Sequence, residues 1–248
     1  MLFAGLLAVG AATLLVEQPR LLSAGPRRAP EVPPDAVTMT AWNVMSFNRG
    51  KEEIPVLYAS DAPDIIVLSE GTYRGGPPPF LKRRMGPEYQ WVATFQLAVG
   101  SRLRILQSQE LATATALRAL RVEIEGPDGP FVLLVVDAPR PPRRDTTDMM
   151  RELWALTRLE KLPFVVVGDL NTARGSRAMR RATRDLVDFH AASGPRGWLG
   201  TWPAKRPWYQ IDHAFAGNGL QPVQADIAPE IASDHLRQRL VFLPSPMR

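Results

Sequence analysis

Asp169 and Asn171 stand two residues apart just after the run Pro163-Phe164-Val165-Val166-Val167, from which Gly168 separates them. Five apolar residues, three of them β-branched, predict a strand buried on both faces. Residues i and i+2 of extended chain point the same way, so a carboxylate and a carboxamide are presented side by side beyond a rigid strand. Taken alone, Gly-Asp-Leu-Asn also suits a turn. The arrangement recurs elsewhere: Asn43 follows Val37–Trp42, Glu70 follows Asp64–Leu68, and Ser233-Asp234-His235 precedes Leu236–Phe242. A further acid, Asp212, sits inside the apolar stretch Tyr209–Phe215. A buried carboxylate is costly unless it is paired or bound to a cation. One such acid could be a structural ion pair, but several polar sites with the same placement point to one shared site. Hard oxygen donors, with no cysteine and no clustered histidines, suit Mg²⁺ or Mn²⁺ better than zinc.

The elements that must hold these residues follow an alternating pattern from Ala36 onward. Val37–Trp42 and Asp64–Leu68 read as strands on either side of a short helix over Glu52–Ser60. Segments near Gln90–Phe95, Leu103–Gln107, Ala112–Leu117, Arg121–Glu125 and Phe131–Val136 read as successive, partly antiparallel strands separated by Gly and Pro. Asp145–Lys161 is the clearest helix, with Met149, Leu153, Leu156 and Leu159 as its inward stripe and Asp145 or Thr146 as its cap. An Arg-rich helix or loop is expected over Ser176–Asp185, and strands near Tyr209–Phe215 and Leu236–Phe242 close the chain. The expected fold class is α/β, with two mixed β-sheets packed face to face between helical layers.

The chain has 248 residues, 45% hydrophobic and 22% charged, which suits one domain with a substantial core. It has no cysteine, so disulfides and thiolate metal sites are excluded. Net charge is +5, and of the 30 basic residues only Lys51, Lys82, Lys161 and Lys205 are lysine. Together with 24 prolines and abundant alanine, this arginine bias fits a GC-rich coding sequence, so the basicity is weak evidence for nucleic acid. It would still favour a polyanionic partner. Leu2–Val16 is an uninterrupted run of apolar, small and Thr residues, short for a spanning helix, which needs roughly 17–25. It fits an export signal, a marginal membrane anchor or the tail of a longer membrane segment. A Pro-rich linker, Gly25–Pro34, sets it apart from the domain that begins at Ala36.

Seven pieces in order carry a resemblance: Trp42-Asn43, Pro63–Glu70, Ser101-Arg102, Gly168–Asn171, Thr201-Trp202-Pro203, Ile211-Asp212-His213 and Ser233-Asp234-His235. As an ordered set they resemble the endonuclease/exonuclease/phosphatase superfamily, the metal-dependent phosphohydrolases related to DNase I and neutral sphingomyelinases. The Thr-Trp-Pro and Ile-Asp-His pieces resemble a bacterial branch that often carries N-terminal membrane segments. The resemblance covers residue 37 to the C-terminus and implies a DNase I-like four-layer α/β sandwich. It implies Glu70 as main metal ligand, Asn43 as an adjoining ligand or phosphate contact, and Asp234 near the metal. Asp169 would orient or deprotonate the attacking water, and Asn171 would donate to phosphoryl oxygens. His235, held by Asp212, would stabilise charge in the transition state. That division of labour fits the chemistry: phosphodiester hydrolysis needs a cation on non-bridging oxygens, a positioned water and donors to developing charge. A histidinium donates there only if a carboxylate raises its pKa.

One position departs from the resemblance. Many relatives place a histidine before the long helix, in a pattern such as His-x-x-Pro, where this chain has Val136-Asp137-Ala138-Pro139. Asp137 either meets the phosphate, which it would repel unless protonated, or caps the turn before Pro139. Arg140, Arg143 and Arg144 follow closely enough to reach a substrate phosphate, or form a solvated loop. His190 and His213 read as packing residues. Trp198, Trp202, Trp208 and Tyr209 read as packing or as a rim for a base. The expected activity is Mg²⁺- or Mn²⁺-dependent hydrolysis of a phosphodiester by an exported or membrane-associated monomer. A nucleic acid, a phospholipid head group and a small organic phosphate are all candidate substrates. A compact domain favours the latter two, having little room for loops that grip duplex DNA. The alternative is a catalytically weakened, membrane-tethered phosphate-binding module of the same fold.

Overall fold

Alternation along the buried strands decides the layers. In Phe131–Asp137 the odd-numbered residues Phe131, Leu133 and Val135 join one core, and Val132, Leu134 and Val136 join another. Val165 and Val167 likewise part from Phe164 and Val166, as the two-residue strand period requires. Such strands are covered on both faces. The computed structural model, which describes residues 31–244 apart from 49, 73–74, 141–145, 194–198 and 230–231, shows what covers them.

Twelve strands are described: β1 (Val37–Asn43), β2 (Ile65–Ser69), β3 (Gln90–Ala93), β4 (Leu97–Ser101), β5 (Ile105–Glu110), β6 (Arg118–Gly126), β7 (Gly129–Asp137), β8 (Phe164–Asp169), β9 (Val187–Asp188), β10 (Asp212–Gly217), β11 (Gln221–Ala228) and β12 (Arg237–Leu243). The helices are α1 (Glu53–Asp61), α2 (Pro79–Met85), α3 (Thr146–Leu159), α4 (Arg177–Ala182) and α5 (Phe189–Ala192). One six-stranded sheet runs β11-β12-β1-β2-β4-β3 and the other β5-β6-β7-β8-β10-β9. Both are mixed: β1 pairs parallel with β2 and β7 parallel with β8, while the other neighbours are antiparallel.

The central core lies between the sheets and joins Val37, Met39, Ile65 and Val67 of the first to Val122, Leu133, Val165 and Ala214 of the second. Ile54 and Tyr58 of α1, with Leu81 and Met85 of α2, cover Trp42, Ile66 and Leu68 on the outer face of the first sheet. Met149, Met150 and Leu153 of α3, with Met179 of α4, cover Leu134, Val136 and Val166 on the outer face of the second. This is the expected two-sheet sandwich between helical layers. Each large aliphatic side chain in its middle contributes roughly 1.5–3 kcal/mol by burial.

Several expectations are corrected. Gln90–Phe95 is half of a hairpin, and Leu97–Ser101 supplies the other strand. Ala112–Leu117 forms no strand: Thr113 Oγ1 donates to Leu117 O at 2.6 Å and Thr115 N to the Glu152 carboxylate at 3.1 Å, folding the segment onto α3. Leu159 is not inward on α3; it is 72% exposed, and Met150 and Thr157 share the buried face with Met149 and Leu153. The strand β11 and the helix α2 were not anticipated; Pro222 and a Pro-rich start at Pro77-Pro78-Pro79 hid their patterns. The segment Leu2–Val16 and residues 25–30 of the linker Gly25–Pro34, with Arg143, Arg144, Asp145 and Trp198, lie outside the described residues. Among the described residues no helix is long and apolar enough to cross a membrane.

Candidate active site

The inward-facing series of four strands end in polar residues at the same end of the sandwich. On β1 the series Val37, Met39, Ala41 ends in Asn43, and on β7 Phe131, Leu133, Val135 ends in Asp137. On β8 Val165 and Val167 lead to Asp169, and on β10 Ala216 and Ala214 lead back to Asp212. Asp137 pairs with Asp169 across the parallel β7–β8 ladder, and Asp212 pairs with Asp169 across the antiparallel β8–β10 ladder. Three carboxylates of one sheet thus lie side by side, facing the end of the first sheet.

Backbone geometry makes the corner. Gly168 has φ +140°, and a Cβ there would meet Val136 O at 2.0 Å, so only glycine lets β8 approach β7 this closely. Asn171 at φ 44° and Glu70 at φ 51° both occupy the left-handed region. Asparagine tolerates this well and glutamate does not, a strain expected where function holds a residue in place. The Asn171 amide donates to Asp169 Oδ1 at 2.8 Å, and its side-chain Nδ2 donates to Ala138 O at 2.6 Å, leaving one amide hydrogen for a ligand.

Asn43 joins the sheets. Its Nδ2 donates to Glu70 Oε1 at 3.1 Å and to Asp169 Oδ2 at 3.0 Å, while its Oδ1 accepts from Met45 N at 3.0 Å. Expected as a metal ligand or phosphate contact, it stands here as a bridge between two carboxylates. The oxygens of Glu70, Asp137 and Asp169 lie within 4.8 Å of one another, as do ligand atoms of Asp169, Asp212 and His235.

His235 Nδ1 donates to Asp212 Oδ2 at 2.8 Å, and its Nε2 lies 3.8 Å from Asp169 Oδ2 with no hydrogen-bond partner. Burial opposes its charge, but Asp212, through its charge and its hydrogen bond, then Asp169 and Asp234, raise the pKa to about 9. Burial, then the charges of Asp212 and Asp137, push Asp169 well above the usual carboxylate range; His235 and the Asn171 N–H act against this. Asp137 is raised to about 6 by burial, opposed by Arg118 and reinforced by Glu70.

Several of the other motif residues brace the site. Thr201 Oγ1 accepts from Ile211 N and Asp212 N, both at 3.2 Å, and so places the acid that holds His235. Ser233 Oγ donates to Asn43 O at 2.8 Å, and Trp42 Nε1 donates to His235 O at 2.8 Å, tying the histidine loop to β1. Asp234, expected near the metal, is set apart. Its Oδ2 accepts from Trp202 Nε1 at 3.3 Å and from Arg140 at 3.4 Å, and among the described residues it joins neither group of converging ligand atoms. Arg140 lies over the Trp202 ring and remains half exposed. Ser101-Arg102 lies at the opposite end of the first sheet, where Ser101 pairs with Ile65 and Arg102 Nε donates to the Tyr89 hydroxyl at 3.0 Å.

His213 donates from Nε2 to Thr172 O at 2.9 Å, and burial lowers its pKa to about 4. His190 contacts Gln238 Oε1 at 3.0 Å and is also lowered by burial. Both are core histidines. Trp208 and Tyr209 are exposed enough to form a rim.

One residue escaped sequence reasoning. Arg118 of β6 lies opposite Asp137 and donates from Nη1 to its Oδ2 at 2.6 Å. The signal was present: counting outward, residue for residue, from the turn between Gly126 and Gly129 brings these two together.

Comparison with known proteins agrees with this architecture. The chain shares 14% identity with a humanized TDP2 of D. rerio, with a TM-score of 0.69 over 84% of this chain and 99% of that one. The endonuclease/exonuclease/phosphatase of Beutenbergia cavernae is 18% identical, with a TM-score of 0.66 over 85% and 72% of the two chains. A D. rerio TDP2 complexed with single strand DNA product is 14% identical, with a TM-score of 0.67 over 84% and 98%. Identities this low carry the fold alone. No curated protein matches the chain. The model of the Endonuclease/Exonuclease/phosphatase family matches residues 40–235, a span that runs from β1 to His235. The chain belongs to this family, whose members are mostly hydrolytic nucleases and phosphatases and include metal-dependent phosphoesterases.

Proposed function

We propose that the protein is a divalent-metal-dependent phosphodiesterase that hydrolyses its substrate by attack of an activated water on phosphorus. The observation that carries this is the line Asp212–His235–Asp169: a buried histidine hydrogen-bonded to one carboxylate, which raises its pKa, with its second nitrogen unpartnered and close to another. A buried N–H without an acceptor is costly, and a phosphoryl oxygen is the acceptor this chemistry would bring.

The donor set fits a hard cation, because Glu70, Asp137 and Asp169 offer converging oxygens with no sulfur and no imidazole among them. Glu70 is partly exposed and open to an entering ion, whereas Asp169 is fully buried. Bound there, Mg²⁺ or Mn²⁺ would supply charge neutralisation on the non-bridging oxygens and acidify a water. Asp169 accepts from Asn43 and Asn171 and is thereby fixed to orient the attacking water. The free amide hydrogen of Asn171 and His235 Nε2–H donate to charge that develops on the phosphoryl oxygens. Asp212 keeps the imidazolium charged and its ring oriented.

The apolar run Leu2–Val16 supports an exported or membrane-associated location, and the compact domain from Ala36 supports a small or lipid-borne phosphodiester among the nucleic acids, phospholipid head groups and organic phosphates that such sites handle. The test is hydrolysis of a panel of single- and double-stranded nucleic acids, phospholipids and a generic aryl phosphodiester, with Mg²⁺, with Mn²⁺ and with chelator. Metal-dependent turnover that falls at least tenfold or so in His235→Ala is expected. Absence of metal-dependent turnover on the whole panel would favour a phosphate-binding module of the same fold.

A further inference from the structure

The residue that departs from the family pattern is not a turn cap. Asp137 continues the inward series of β7, pairs across the ladder with Asp169, and is almost fully buried. Its Oδ2 accepts from Arg118 Nη1 at 2.6 Å. Glu70 comes to the same place from the other sheet, and one oxygen from each of Glu70, Asp137 and Asp169 falls within a 4.8 Å group. Three acids this close repel one another strongly. Asn43 donates to two of them and Arg118 to the third, so each acid is fixed in place while the group as a whole keeps excess negative charge. An independent observation beside this group points to a ligand: His235 Nε2, wholly buried and without a partner, lies 3.8 Å from Oδ2 of Asp169, the acid that both groups of converging atoms share.

A plain structural ion pair closing the β6–β7 hairpin would account for Arg118 and Asp137 alone. It does not account for the burial asymmetry. The Arg118 side chain is 40% exposed at the rim and that of Asp137 only 3%, so the arginine reaches inward to hold an acid buried beside Glu70 and Asp169.

We propose that Asp137 is a direct ligand of the divalent cation, completing with Glu70 and Asp169 a three-carboxylate site that spans both sheets, with Arg118 as its positioning residue. This rests on the metal-dependent function proposed above. At this position the chain therefore serves the cation, and the carboxylate that would repel a bare phosphate is neutralised where the phosphate binds. Arg118 restrains the carboxylate and offsets part of the group's charge, so that the acids tolerate one another before the cation enters.

The test needs no substrate. Mg²⁺ and Mn²⁺ are titrated calorimetrically into the full chain after removal of metal by chelator, and bound Mn²⁺ is followed by electron paramagnetic resonance. Asp137→Asn is nearly isosteric, and Asp137→Ser is a second route should the first fold poorly; circular dichroism and melting temperature check both. Each should weaken cation binding by about tenfold or more. Arg118→Gln separates ligation from simple charge balance. If Asp137 ligates the cation, the double variant Arg118→Gln/Asp137→Asn binds as weakly as Asp137→Asn. Wild-type affinity in Asp137→Asn and Asp137→Ser, or its restoration in the double variant, would overturn the assignment and leave the metal-dependent function standing. Binding that is lost in Glu70→Gln but kept in both Asp137 variants would overturn it in the same way. A wild-type chain that binds neither ion would overturn both.

Discussion

Asp212→Asn probes the pair on which the proposed chemistry depends. In the native protein His235 rises from 6.5 to about 9 although burial opposes its charge. A difference of that size corresponds to roughly 3 kcal/mol of preferential stabilisation of the imidazolium, at ~1.4 kcal/mol per pKa unit. Because the folded-state value lies above the unfolded one, this stability is fully present below pH 6.5 and is lost as pH rises through about 9. Replacing Asp212 by asparagine removes the largest contribution that favours the charge and leaves the burial that opposes it. The imidazole should then titrate at or below 6.5, and the pH-dependent loss of stability between about pH 6 and pH 10 should shrink by up to roughly 3 kcal/mol. Proton NMR is well suited to this, because the chain has only three histidines and burial lowers the other two, His190 and His213. Only His235 should titrate on the alkaline side. Turnover should follow, with its alkaline limb moving to lower pH in the variant. A native His235 that titrates near or below 6.5, or a variant that keeps the native value, would refute the coupling and leave Asp212 a structural acid.

Other changes test the frame around this pair. Glu70→Gln should leave the fold intact and weaken Mg²⁺ binding by about tenfold or more, as read by calorimetry, because a converging ligand is lost while the Asn43 bridge keeps an acceptor. Gly168→Ala should cost about 2–4 kcal/mol in urea unfolding, since its Cβ would meet Val136 O at 2.0 Å in a backbone conformation that only glycine adopts freely. Thr201→Ala should cost about 1–3 kcal/mol, because two buried backbone N–H groups, of Ile211 and Asp212, lose their acceptor. That variant should also lower kcat more than it raises KM, since the misplaced group is Asp212. Unchanged kinetics would confine Thr201 to a structural role.

The sandwich itself follows from a simple conflict between surface and period. β7 and β8 are apolar on both faces, so each needs two covers, and a second sheet with helices outside it meets both needs. The same conflict locates chemistry. Where the inward series of β1, β7, β8 and β10 change from apolar to Asn43, Asp137, Asp169 and Asp212, the apolar core between the sheets ends and a cluster of buried polar side chains begins. That cluster is therefore part of the sandwich, its strand-borne members held by main-chain pairing within a six-stranded sheet on each side.

Much of this was legible in the linear order of residues. Period-two alternation places Asp169 on the inward face of β8, and the Gly168-Asp169-Leu170-Asn171 stretch announces a sharp corner after a buried strand. The pairing of Asp212 with His235 came from the family resemblance, and the structure brings the two together at 2.8 Å. The elements that escaped were those whose signals are ambiguous in one dimension. Ala112–Leu117 has strand-like composition, yet Glu152 of α3 captures its backbone, a contact made across a long stretch of chain. Leu159 fits the helical stripe, but α3 ends there and the side chain is left exposed, while Thr157 takes the buried face of the last turn. Sequence alone thus determined which faces are apolar and which acids must lie near strand ends, because alternation and burial cost are local properties. Only tertiary structure decided that Asp137 turns into the acid cluster and away from the turn at Pro139, that Asp234 leaves the cluster for Arg140 and Trp202, and that Asn43 bridges the sheets. Each of those outcomes depends on the register between strands distant in sequence, and register is set by the packing of the whole sandwich.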